Sequence, residues 1–108
     1  MAVSKNTKIF KNDIGVAFRV FAGIDLTDAS EIIMKVKKPS GTEVEWTAIV
    51  DEDNSYYAYY ASASSDLDLE GQWRLSLEVT FPDTSSFQGE TAYFTVYKQF
   101  EDESYGNE

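Results

Sequence analysis

The sequence predicts an all-β domain, an antiparallel immunoglobulin-like β-sandwich of about seven strands. The clearest sign runs from Gln72 to Phe81, where Trp73, Leu75, Leu77, Val79 and Phe81 alternate with Gln72, Arg74, Ser76, Glu78 and Thr80. Side chains leave a strand on alternate faces, so this run has one apolar face and needs a second layer to cover it. A helix would scatter the same five groups around its circumference. Shorter alternating runs recur along the chain, separated by clusters of turn residues. A length of 108 residues, 43% hydrophobic and 15% aromatic, supports one core and is too apolar for a disordered chain.

Residues 1–6 are polar and loose, and a first strand covers Thr7–Lys11 with Ile9 and Phe10. Asn12-Asp13-Ile14-Gly15 is a turn, because Asp offers local hydrogen bonds and Gly permissive dihedrals. The second strand sets Val16, Phe18 and Val20 against Ala17, Arg19 and Phe21 and ends at Ala22-Gly23. Asp28 and Glu31 have the spacing of a helix capping box, so residues 25–31 read as a turn or a short helical loop. Ile32, Met34 and Val36 then mark a third strand. Lys38-Pro39-Ser40-Gly41 fits a type I turn, with proline fixing the second position and glycine closing the fourth.

A fourth strand alternates Val44, Trp46, Ala48 and Val50 with Glu43, Glu45, Thr47 and Ile49, and Asp51-Glu52-Asp53-Asn54 breaks it. The fifth, Tyr56 to Ala61, carries aromatics in both phases. Residues 62–70 are a polar loop holding Leu67 and Leu69, followed by the long sixth strand. Pro82–Ser86 turns the chain into a last strand, about Gln88–Lys98, with Ala92, Phe94 and Val96 opposite Tyr93, Thr95 and Tyr97. The domain therefore spans 1–100, and residues 101–108 form an acidic tail expected to be disordered. Phe18, Val20, Trp46, Trp73, Leu75, Leu77, Val79, Phe94 and Val96 are the expected core.

Composition removes several chemistries. The chain has no cysteine and no histidine, so disulfides, thiolate zinc sites and the commonest general base are absent. Residues 1–50 carry seven Lys/Arg against six Asp/Glu, whereas residues 51–108 carry two against thirteen. A net charge of −10 repels phosphate backbones and anionic lipid, so neither nucleic acid nor a membrane is expected as partner. Acidity alone keeps a domain soluble; its sharper meaning is a basic partner or a neighbouring copy. Neither a secretion signal nor a membrane-spanning run is visible, which leads to synthesis in the cytoplasm.

Four features invite a functional reading. Asp68-Leu69-Glu70-Gly71-Gln72-Trp73 has the punctuation of the corner at which immunoglobulin-type domains enter their penultimate strand. Trp73 stands where tyrosine is commoner, so its indole N–H must make the bond to backbone that a hydroxyl would make. Asp51-Glu52-Asp53-Asn54, completed by Asp66, Asp68 and Glu70, has the oxygen ligands of a calcium site but lacks the glycine and bidentate glutamate of an EF-hand, and a solvated turn is the plainer reading. Two carboxylates can run a glycosidase, yet the chain is hardly long enough for a sandwich and a walled cleft, and it has neither a phosphate loop nor a serine elbow; no enzymatic activity and no cofactor are expected. Lastly, Tyr57 and Tyr59 share one strand face, opposite Tyr56 and Tyr60, and Tyr93 and Tyr97 share another. Outward tyrosines suit protein interfaces and sugar stacking equally, or are simply good strand formers left wet. Tyr57, Tyr59, Tyr93 and Tyr97 are the candidate interface.

The order Gly15–Val20, Asp25-Leu26-Thr27-Asp28-Ala29 and Val36–Thr42, with Leu69–Leu75, Glu78–Phe81 and the Thr91–Val96 strand, resembles the N-terminal immunoglobulin-like domain of phage baseplate upper proteins. The resemblance covers about residues 9–98. It implies a non-enzymatic structural module of a phage or prophage tail, located in the virion and joined to other virion proteins or to copies of itself. The family supplies no catalytic residue. The competing expectation is a carbohydrate-binding or adhesion module that stacks sugars on outward tyrosines.

Overall fold

Strand β8 (Gly71–Thr80) is the axis of the larger of two sheets, and its inward residues Trp73, Leu75, Leu77 and Val79 are almost wholly excluded from solvent. The computed structural model describes residues 2–3, 8–89 and 91–98. The expected tail at 101–108 and most of the loose N-terminal segment lie outside them. Around β8 the large sheet runs β2 (Ile9–Phe10), β10 (Ala92–Tyr97), β8, β4 (Glu31–Lys37), β5 (Glu43–Thr47), with β9 (Ser86–Gln88) also paired to β8. The small sheet runs β1 (Ala2–Val3), β3 (Ala17–Phe21), β7 (Tyr57–Ala61), β6 (Ile49–Val50). Pairings are antiparallel except for β2 beside β10, which is parallel. Two layers with this order make an immunoglobulin-like β-sandwich.

The dry interior follows from the alternation. Phe18 and Val20 of β3 and Ala58 of β7 point in from the small sheet. They meet Met34, Val36, Trp46, Phe94, Val96 and the β8 row from the large one. Its centre is aromatic: Phe18 lies 5.3 Å from Trp46 and 4.9 Å from Phe94, centroid to centroid, and Tyr60 stacks on Trp46 at 4.8 Å. Such tilted and offset pairs add to the gain from burial alone. All nine residues expected in the core are buried, joined by Leu26 and Leu67, which plug the sandwich from loops.

Several expected elements are redrawn by pairing. Of the expected first strand Thr7–Lys11, Ile9–Phe10 form β2, Lys8 and Lys11 fall outside it, and Thr7 lies outside the described residues. The run expected as one fourth strand divides at Ala48, whose N–H bonds to the Ile32 carbonyl at 2.9 Å; β5 belongs to the large sheet and β6 to the small. The last strand divides into β9 and β10. No helix forms at 25–31. Asp25 instead accepts from the Thr27 N–H at 3.0 Å, and Glu31 is drawn into β4 opposite Thr80. The turn at 38–41 forms as expected: Gly41 N–H bonds to the Lys38 carbonyl at 2.9 Å, and Gly41 takes a positive φ of 94°.

Candidate functional site

The corner before β8 is built as its residues require. The Trp73 indole Nε1–H donates to the Leu69 carbonyl at 3.0 Å, the bond a tyrosine hydroxyl makes at this place in other sandwiches. Lys38 closes the corner from outside, its Nζ 2.9 Å from Asp68 and 5.8 Å from the Trp73 ring centroid. Nearby, the Asp66 carboxylate accepts from the Tyr60 hydroxyl and, at 2.7 Å, from the Ala63 N–H. Burial and this carboxylate push the Tyr60 phenol up to about 12. These contacts hold the loop; they are architectural.

Four of the six carboxylates weighed as calcium ligands already have partners. Asp51 is held by Arg19, Asp66 by Tyr60, Asp68 by Lys38, and Glu70 faces Lys11 at 3.6 Å. Among the described residues no three Asp or Glu converge on a point.

The outer face of the small sheet is different in character. Its strands present Arg19 and Phe21 from β3, Tyr57 and Tyr59 from β7, and Ile49 from β6, in two cross-strand rows: Arg19–Tyr59–Ile49 and Phe21–Tyr57. Asp51 lies beside Tyr57, its N–H bonded to the Tyr57 carbonyl at 2.9 Å. Arg19 reaches over the Tyr57 ring, 4.5 Å from its centroid, to make two bonds of 3.0 and 3.1 Å with the Asp51 carboxylate. That paired guanidinium holds the Asp51 carboxyl below its ordinary value, and Asp51 in turn raises Arg19. Phe21 meets the Tyr57 ring edge-on at 5.4 Å. Despite these contacts Phe21 is 58% and Ile49 61% exposed. A hollow of about 510 Å³ opens beside Ile49, lined also by Tyr59, the Arg19–Asp51 pair, Glu52 and Asp53.

The four candidate tyrosines do not share one surface. Tyr57 and Tyr59 stand on the small sheet; Tyr93 and Tyr97 stand on the outer face of the large sheet, on the opposite side of the sandwich. Tyr97 packs on Phe10 and under the Lys8 ammonium at the β2 edge. Tyr93 is 56% exposed, aligned across the strands with Arg74. Sequence reasoning missed Arg19, Phe21 and Ile49 as members of the small-sheet face. The signal was there: Phe21 and Ile49 are apolar residues in the outward phase of their strands.

Comparison with known proteins separates fold from function. No protein-family model and no curated protein matches the sequence. Among solved structures, the fold matches the crystal structure of CopC from Methylosinus trichosporium OB3b, with a TM-score of 0.58, 15% identity and 92% of each chain covered. At that identity the likeness is one of fold. It overturns the resemblance to phage baseplate upper proteins, and with it the expected role as a virion structural module and the expected location in a virion. The residues that carried the resemblance are turn and strand punctuation, Gly15, Pro39–Gly41 and Gly71 among them, and here they do work common to sandwiches of any origin. Of the outward tyrosines weighed for sugar stacking, Tyr57 has one ring face covered by Arg19, whereas Tyr93 is 56% exposed. Among the described residues no helix is long and apolar enough to cross a membrane.

Proposed function

We propose that the chain is a non-enzymatic binding module whose outer small-sheet face docks a protein partner. The observation that carries this is the pair Phe21 and Ile49, both more than half exposed on a sheet face whose aromatic and arginine side chains are already fixed. Aromatic and arginine side chains with little freedom left to lose are typical of interface centres, whereas isolated charged rims contribute little. The Arg19–Asp51 pair is satisfied within the chain, so covering it leaves no unpaired charge. Glu52 and Asp53 at the border favour a partner carrying positive charge.

The test compares capture by immobilised wild-type chain and by a Phe21→Ser/Ile49→Ser variant. Both substitutions are at exposed positions, so the thermal midpoint should not fall. A protein retained by the wild type and lost from the variant is the expected result. Equal retention by a folded variant rules out this face.

A further inference from the structure

Each outer face of the sandwich carries charge that has no ion pair among the described residues, a guanidinium on the large sheet and two carboxylates on the small. On the large sheet, Glu43, Lys37, Arg74 and Tyr93 stand in one row across β5, β4, β8 and β10. Lys37 and Arg74 are therefore directly opposed like charges, an arrangement that opposes pairing of the strands unless an anion lies over it. Lys37 is 3.9 Å from Glu43, and Lys11, Arg19, Lys35 and Lys38 each have a carboxylate as well. Arg74 has no carboxylate partner among the described residues. It lines, with Lys35, Lys37, their partners Glu43 and Glu45, and the exposed Tyr93, a hollow of about 750 Å³. On the small sheet the situation is reversed: Glu52 and Asp53 border a hollow, form no ion pair among the described residues, and sit next to exposed Ile49 and half-buried Tyr59.

We propose that the occupant of the small-sheet face is the large-sheet face of a second copy of this chain. Arg74 of one copy enters the hollow between Glu52, Asp53 and Tyr59 of the next, and Tyr93 packs on Ile49. Arg19 already shows the mode within one chain, a guanidinium laid on a tyrosine ring and held by a carboxylate. Because the surfaces lie on opposite sides of the molecule, the contact is heterologous: it adds copies head to tail until a ring closes or the chain of copies runs on. This rests on the docking reading above and names its partner.

Sedimentation velocity over a wide concentration series, in about 0.15 M salt so that long-range repulsion is screened, tests it. The wild type should grow beyond a monomer with concentration. Arg74→Glu and, separately, Ile49→Lys should each stay monomeric. Arg74→Glu faces Lys37, so the variant gains an opposite-charge pair and its folding is not at risk. A mixture of the two variants should form a dimer that grows no further, since each supplies one intact face. A wild type that is monomeric throughout overturns the inference and leaves docking of another protein standing. Association that survives Ile49→Lys overturns the docking face itself. Association lost in Ile49→Lys but kept in Arg74→Glu shows a self-complementary small-sheet contact and overturns the head-to-tail arrangement.

Discussion

Tyr60 shows how one side chain carries three duties. Its ring stacks on Trp46, its hydroxyl holds Asp66, and Asp66 pins the loop that delivers Leu67 to the core. Burial first, then the carboxylate, raises its pKa from 10.0 to about 12. The folded value exceeds the unfolded one, so between these two values the native state binds more protons than the unfolded chain. The contribution of Tyr60 to stability is complete below pH 10 and disappears as pH rises through about 12. An ultraviolet titration of the phenolate band should show a late phase at about pH 12 that belongs to Tyr60. Tyr60→Phe should remove that late phase; a titration curve that Tyr60→Phe leaves unchanged above about pH 11 is incompatible with the contact.

The strands were largely legible because alternation is a local property. The phases of β3, β5, β8 and β10 follow from their own residues, and so does the separation of Tyr57 and Tyr59 from Tyr60. The sheet to which each strand belongs was not legible, because pairing joins residues far apart in sequence. Hence the division at Ala48, the loss of a capping box when Glu31 paired with Thr80, and the appearance of Tyr93 on the face opposite Tyr57. The candidate site was half legible: the tyrosines could be assigned to faces of their strands, but their union with Phe21 and Ile49 needed the register. The junction of the 38–41 turn with β8 offers a test of that register. Gly71 has a φ of 129°, and a Cβ there would stand 2.8 Å from Pro39 Cγ. Gly71→Ala should lower stability by about 1–3 kcal/mol in urea denaturation, combining backbone strain with a displaced turn. An unchanged midpoint would mean that Pro39 does not pack there.

For the molecule as a whole, acid should act through a few paired carboxylates. Asp51 is held low by Arg19, Asp25 by the Thr27 hydroxyl, Glu70 by its own backbone N–H and then Lys11, and Asp83 by the Ser85 hydroxyl. Each folded value lies below the unfolded one, so the stabilisation is present above the ordinary values of 3.8 and 4.5 and fades as pH falls through the lower folded ones. The thermal midpoint should therefore decline below about pH 4, and Asp51→Asn should blunt the decline. A midpoint that is level down to pH 2 contradicts this. The run from Glu43 to Val50, which leaves one layer at Ala48 and enters the other, sets how the molecule comes apart. A single thread sewn through both layers prevents them from opening like the covers of a book. The two layers are therefore expected to lose structure together, which coincident far- and near-ultraviolet circular dichroism transitions would show.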